Sequence, residues 1–494
     1  MKKTLTASVA FAISLLFFAT SCTDKGQETF HYVNLSQVAC SFLGEGSSPL
    51  AVDVKASPAQ WTATPGATWV KIERTDERTL TITVDDNDTG AERNTTVMID
   101  AGQASQTITV TQLPKDSAFA RFRKLDTFQM GAAMSPSGRY AGGFTASIAP
   151  DDSFLYTPTI VDLETGEWHE FGPYPESVHY LHQTMAITDQ GLLFISDGAN
   201  GGQIAIDLTG NIFIPESPAG FRGKPEIQAT SADGKYWVGF AMKGKVFEDP
   251  APCKALLWTD GVPHELPWPE LNYRDEEYGG MARGISADGS IIYGTSWENS
   301  DFGMLYWINN GENTAKPEWV GKDVREVTPV VMKMSDGTEY DYHIVNGMIC
   351  TANLTNISAT GKWIAGSYRT ETPADDRISV ITTQTAAFYN TETETTVIVE
   401  DYGESTGVHA TDDGIAFIGV GSLGISSGKV YDLNTGTDLG STQEWVYDNY
   451  GIVIPAGYIN HVSADGRFVL GTKAESSAMG VAFINWYIAP PIVK

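Results

Sequence analysis

The chain has 494 residues, of which 42% are apolar, with 61 Asp and Glu against 32 Lys and Arg, for a formal net charge of −29. That length holds several domains or one large repetitive one, and the negative charge argues against non-specific attachment to nucleic acid or other polyanions. Four cysteines are too few for a disulfide framework, and their spacing matches no zinc motif. Neither a metal nor a cofactor is therefore expected.

The chain opens on Lys2 and Lys3, followed by the apolar run ASVAFAISLLFFAT and the small residues ATS before Cys22. A basic start, a short apolar core and small residues ahead of a cysteine describe a secretory signal. The run is too short for a good spanning helix. Ala19, Thr20, Ser21 and Cys22 resemble the bacterial lipoprotein box. The resemblance implies a signal over 1–21, lipidation of Cys22 and a polar tether over 22–32. The expected location is the cell envelope, as an outer-membrane lipoprotein, with the periplasmic and extracellular faces both left open. Losing Lys2 and Lys3 with the signal moves the net charge to −31.

From Val33 to Pro114 the sequence alternates apolar and polar residues in short runs: LAVDVKAS, WVKIER, TLTITVDD, NTTVMIDAG and SQTITVTQ. Gly, Pro, Asp or Asn bounds each run, which predicts a small immunoglobulin-like β-sandwich over 33–114. Trp61, TWV with Trp69, TITVDDN with Asn87, Arg93, VMI and the closing ITVTQ with Gln112 stand in the order of a BACON domain. The segment is identified as a member of that family, which is found in lipoproteins and glycan-degrading enzymes of gut Bacteroidota. The resemblance implies carbohydrate or mucin binding, or a spacer. Trp61 and Trp69 lie in alternating strand-like context, where an aromatic belongs to the core more often than to a sugar platform.

After Ala118 the sequence repeats itself. Seven segments align on a turn glycine, at Gly138, Gly191, Gly234, Gly289, Gly361, Gly414 and Gly466, spaced 53, 43, 55, 72, 53 and 52 residues apart. Three residues before each glycine stands Ser or Thr; five residues after it stands glycine in six repeats and Ser196 in the other. Each unit adds a second hairpin, as in KALLWTDGVPHEL and GKVYDLNTGTDLG. Two hairpins per repeat make a four-stranded blade, and seven blades make a β-propeller over 118–494. The expected class is all-β, a sandwich followed by a seven-bladed propeller, with no helix of useful length. The last repeat lacks an outer strand, and residues 118–128 are expected to supply it and close the ring. The turn aspartates, Asp233 and Asp465 among them, are expected to hold hairpins and not to do chemistry. Cys40, Cys253 and Cys350 read as isolated small buried residues, with a Cys253–Cys350 bridge left open.

Long connections gather at one end of the blades, where binding residues concentrate on a rigid scaffold. They carry Trp268, Tyr273, Tyr278, Trp297, Phe302, Tyr368 and Arg369, with Asp275, Glu276, Glu277 and Glu298. Aromatic faces beside charged groups suit sugar rings, although any of these side chains can equally pin a loop. Five residues before the turn glycine the repeats read Ala133, Ala186, Ala229, Gly284, Asn356, His409 and His461. The last three make a polar patch: a ligand site, an acid/base pair, or histidines filling space between blades. His182 is a weaker companion. The expected ligand-binding set is Asn356, His409, His461, Trp268, Tyr273, Trp297, Tyr368 and Arg369.

No nucleophile elbow, phosphate loop or zinc-type histidine motif occurs. The reading is a binding or scaffold lipoprotein, associated with a glycan or with an envelope or surface protein, more a binder than an enzyme. One alternative is a propeller-type polysaccharide lyase or glycosidase using His409, His461 or His182 as acid/base, with Arg369 on a uronate carboxylate. Another is a protein platform in the envelope.

Overall fold

The structure, a computed structural model, describes residues 31–42, 44, 47, 49–89, 91, 93–112, 114, 122–124, 132–243, 253–268, 280–296, 303–311, 314–351, 356–421, 427–477 and 480–489. The signal, Cys22 and the tether up to residue 30 lie outside these residues. So do Tyr273, Tyr278, Trp297, Phe302, Asp275, Glu276, Glu277 and Glu298. Tyr32, expected at the end of the tether, already belongs to the first strand. The described chain forms nine antiparallel sheets.

Two four-stranded sheets build the sandwich: Tyr32–Leu35, Leu50–Ser57, Thr79–Val84 and Val70–Arg74 in one, Ala39–Phe42, Ser105–Gln112, Arg93–Asp100 and Thr62–Pro65 in the other. The alternation works as strand geometry requires. Val52, Val54, Leu80, Ile82, Val97, Ile99, Ile108 and Val110 are buried, while their neighbours along each strand are more exposed. Trp61 is part of this interior. Its indole N–H donates to the Glu77 carbonyl at 3.1 Å, and the Arg74 guanidinium lies 4.2 Å from its ring centroid.

The other seven sheets are the blades of a propeller. Their innermost strands begin at Ala133, Leu181, Arg222, Gly280, Glu326, Ser405 and Tyr458, although in the fifth blade the hairpin Glu326–Lys333/Glu339–Ile349 extends the sheet. There Gly347–Ile349 and the bridge at Ile357 take the inner edge. Each pair of adjacent blades shares one hydrophobic cluster. Phe144 and Leu193 meet between the first and second, Phe194 and Trp258 between the second and third, Leu257 and Trp307 between the third and fourth. Tyr306 and Tyr389, Phe388 and Ile418, and Phe417 and Trp486 continue the series. Leu163 and Ala141 of the first blade pack with Phe468 and Tyr487 of the seventh, so the array is a ring. Phe122–Lys124 pairs with Gly480–Ile488 as the fourth strand of the seventh blade.

The repeated turns are built by their hydroxyls. Ser463 Oγ accepts from the Phe468 N–H at 3.0 Å and donates to Asp465, whose carboxylate accepts from the Arg467 N–H. Ser231 and Asp233 repeat that arrangement, and Ser135 and Ser358 repeat its first bond. All seven turn glycines have φ between +68° and +90°, a region costly for any residue with a Cβ. These turns are structural.

One element departs from the all-β expectation. Thr442–Tyr450 is an α-helix between the sixth and seventh blades, with a capping box from Ser441 and Glu444 and a left-handed C-cap at Gly451. It buries Val446 into the cluster of those blades. Cys253 and Cys350 are not joined by a disulfide.

Candidate functional site

In five blades the innermost strand slips by one residue against its neighbour. The breaks fall between Thr184 and Ala186, Ile227 and Ala229, Ala282 and Gly284, Gly407 and His409, and Ile459 and His461. Each is a β-bulge, which re-aims a side chain and increases local twist. The bulged residues are Met185, Gln228, Arg283, Val408 and Asn460, six positions before the turn glycine. In four of these blades the bulge lies opposite or beside the second glycine of the repeat, Gly239, Gly294, Gly419 or Gly471. Gly239 pairs with Ile227, and a Cβ there would sit 1.9 Å from the Glu226 carbonyl oxygen. Gly294 faces Ala282 with only 2.3 Å to the Met281 oxygen.

Between the inner strands lies a cavity of about 230 Å³. Four bulged residues line it, Met185, Gln228, Arg283 and Asn460, together with Gln183 and the pair Asn356 and His461. Among the described lining residues Arg283 is the one permanent cation, and none is a carboxylate. Its single hydrogen bond among the described residues runs from Nη1 to Gln228 Oε1 at 3.2 Å, and buried Nε has no partner among them. Its guanidinium carbon stands 5.9 Å from the Phe240 ring centroid. Glu226 is the carboxylate closest in effect. Burial raises its pKa against the opposing charges of Arg283 and His182, and the two form no ion pair.

The trio five positions before the turn glycine does come together, in an arrangement that withholds its histidines from chemistry. His409 is 1% exposed, stacks on Phe417 and stands 4.9 Å from the His461 ring. Neither of its ring nitrogens has a hydrogen-bond partner. Burial, then the neighbouring His461, hold its pKa well below 6.5, with a small opposing pull from the Val462 backbone. His461 faces the cavity with both nitrogens engaged, Nδ1 with Asn356 Nδ2 and Nε2 with the Pro136 carbonyl, each at 3.4 Å. Those contacts suit a neutral ring that donates from Nε2 and accepts at Nδ1. Burial lowers its pKa too, with Pro136 and Asp189 opposing. His461 is thus a neutral part of the cavity wall, with His409 buried behind it.

The loop residues expected at the ligand are placed differently. Trp268 packs on Trp307 at 6.0 Å and fills the space over Gly280, so it is a partly buried packing residue at the cluster between the third and fourth blades. Tyr368 packs against the cluster between the fourth and fifth blades, its hydroxyl 3.5 Å from the Val324 carbonyl. Arg369 is 7% exposed and lies 3.5 Å from Glu371, also buried. Its charge is met inside the protein. His182, in contrast, is exposed.

A second feature lies beside His182. Phe154, Tyr156, Tyr180 and His182 form a row of rings with centroid separations of 6.3, 5.9 and 6.0 Å. Phe154 is 45% and Tyr180 47% exposed, while Tyr156 is buried beneath them. A buried carboxylate holds this row in place. Asp197 accepts from His179 Nδ1 at 2.8 Å, from the Tyr180 and Ala199 N–H groups and from Asn200. Burial alone would raise its pKa; the hydrogen bonds and the His179 charge outweigh it and keep the carboxyl below its ordinary value. Among the described residues no group of His, Cys, Asp or Glu could hold a metal ion, and no helix is long and apolar enough to cross a membrane.

A family model described as "BACON: Putative binding domain, N-terminal" matches residues 59–113. No curated protein matches the chain. Among solved structures, a prolyl endopeptidase is similar at 12% identity and a TM-score of 0.36, over 79% of this chain and 51% of its own. The chain therefore spans about half the length of that enzyme. The β-propeller domain of the Trilobed protease from Pyrococcus furiosus is similar at 12% identity and a TM-score of 0.36, over 83% and 97% of the two chains. A quinonprotein alcohol dehydrogenase-like protein from Bacteroides thetaiotaomicron follows at 11% identity and a TM-score of 0.28, over 78% and 97%. The blades stand on their own registers and take nothing from likenesses at this level. The matched binding-domain family and the propeller together support a binding or scaffold role.

Proposed function

We propose that the chain is a glycan-binding lipoprotein of the cell envelope, tethered through Cys22 at the outer membrane. The long-connection face of its propeller presents the binding surface, and the BACON-like sandwich serves as a spacer. The observation that carries this reading is the ring row Phe154–Tyr156–Tyr180–His182. Two of its aromatics are about half exposed, yet the row is immobilised by Asp197 and buried Tyr156. Rigid, exposed aromatic faces with polar tips offer a sugar ring both an apolar surface and hydrogen-bond partners at small entropic cost. The acid/base alternative finds less support, since His409 is enclosed and His461 has both nitrogens engaged.

A glycan array probed with the chain from Thr23 onward tests this. Binding is expected and should fall at least tenfold in Tyr180→Ala and Phe154→Ala. An array with no binding partner would leave a protein platform in its place. Replacing Cys22 with Ser should move the protein from the membrane fraction to the soluble one.

A further inference from the structure

The central cavity holds a feature that aromatic stacking does not use. Arg283 enters it on a bulge, in a chain whose formal charge is −29. Among the described residues no ion pair within 4 Å compensates it, and its one hydrogen bond goes to a neutral amide. An unpaired guanidinium beside a buried surface is costly, and its planar fork of donors matches a carboxylate. The rest of the lining complements that charge: Gln183, Gln228, Asn356 and Asn460 are neutral amides, with donors and acceptors suited to hydroxyl groups.

Size limits the ligand. A volume of about 230 Å³ is below the ~300–1,000 Å³ of drug-sized pockets, so the cavity takes one small ring and not a chain. Charge limits it too. Fields from the acidic surface are screened beyond about 8 Å at physiological salt. The described lining itself carries one cation, Arg283, and no carboxylate, with Glu226 near enough to act on Arg283 from outside the lining. A polyanion would extend past that range into the acidic field. The ring row adjoins this site: His182 is next to Gln183, and His182 and Arg283 both act on Glu226.

We infer that the central cavity is a subsite for the carboxylate of an acidic monosaccharide, such as a terminal uronic acid, with Arg283 as its anchor and Gln228 holding that anchor in place. The inference rests on the glycan-binding reading and names the class of sugar. The same guanidinium would also accept inorganic phosphate, and the experiment separates the two.

Isothermal titration of the full chain with glucuronate, glucose and inorganic phosphate, one at a time, tests it. Glucuronate is expected to bind, with affinity falling as salt rises, and at least tenfold tighter than glucose or phosphate. Arg283→Gln should lose that preference at least tenfold, with Arg283→Lys intermediate. Gln228→Leu, which keeps the charge and loses the brace, should weaken glucuronate severalfold and serves if the arginine variants fail to fold. Equal binding of glucose, tighter binding of phosphate, or unchanged glucuronate binding in both Arg283→Gln and Gln228→Leu overturns the proposal. Tyr180→Ala separates the two readings. Loss of oligosaccharide binding with glucuronate binding kept supports both. Oligosaccharide binding without a carboxylate preference overturns the subsite and leaves the glycan-binding ring row standing.

Discussion

At the scale of single residues, two glycines with the same role in their repeats are predicted to differ. Gly466 has φ +68° and nothing within 4 Å of a Cβ, so Gly466→Ala carries only the left-handed backbone cost, about 1 kcal/mol. Gly138 has φ +83°, and its Cβ would lie 2.4 Å from Phe468 Cβ in the cluster joining first and last blades. Gly138→Ala should therefore lose that amount and a further ~1–3 kcal/mol from overpacking. Urea unfolding of both variants checks this, and equal losses would contradict it. His409 gives the molecule a pH dependence. Its folded pKa lies well below the 6.5 of an ordinary histidine, chiefly because it is buried. The unfolded chain binds the extra proton, so stability is full above pH 6.5 and falls as pH drops toward the folded pKa. The slope is up to about 1.4 kcal/mol per pH unit, and His461 acts in the same direction. His409→Phe should remove its share of that slope and cost little at pH 7.5, since both ring nitrogens lack partners and Phe417 offers an aromatic face. Denaturation at pH 5, 6 and 7.5 would show an unaltered slope if burial of this ring were not the cause.

At the scale of elements, the blades were legible because their signals are local. A Ser or Thr, a turn glycine and a second glycine fix a hairpin within ten residues, and Asp260-Gly261, both with positive φ, closes a second one in the third blade. The helix Thr442–Tyr450 was harder to read. Nine residues give too few turns for a periodic apolar stripe, and only Val446 and Thr442 are buried. Its sequence mark was the capping box from Ser441 to Glu444, which satisfies two orphan N–H groups at the helix start. Ser441→Ala is expected to cost about 1 kcal/mol, read as a lower urea midpoint with an unchanged slope; no change would mean that packing of Val446 alone holds the helix. The bulges were legible in principle as well. A glycine inside a strand marks a bulge or a close backbone approach, and six repeats carry one. The candidate ring was read five residues before the turn glycine, where the side chains are Asn356, His409 and His461. The bulge brings the residue one earlier to the cavity, so Arg283 and Gln228 escaped notice. Exposure was the other missing quantity. Trp268 and Tyr180 both sit in aromatic-rich connections, and only the packing of Trp268 against Trp307 distinguishes core from surface.

At the scale of the whole molecule, each blade depends on both neighbours for its core, because every hydrophobic cluster of the ring is shared between two sheets. Such an array has no blade that can be removed without exposing apolar surface on two others. Its weakest point is where the chain ends meet. There Lys124, Arg123 and Phe122 pair with Trp486, Tyr487 and Ile488, and this short strand covers the backbone edge of Gly480–Ile488. A chain beginning at residue 130 loses those bonds, each contributing roughly 0.5–1.5 kcal/mol, and presents an open edge that favours association. A chain beginning at residue 115 keeps them and provides the control, since both lack the sandwich. Each kcal/mol shifts the midpoint by about 2–4 °C in a domain of roughly 150–250 residues and by less in a larger one. The shorter chain should therefore melt several degrees lower and show concentration-dependent association in light scattering. Adding a peptide of residues 115–130 should restore the higher melting point by occupying the edge. Equal melting points for the two chains, both monodisperse, would mean that the packing of Leu163 and Ala141 against Phe468 and Tyr487 closes the ring without the strand.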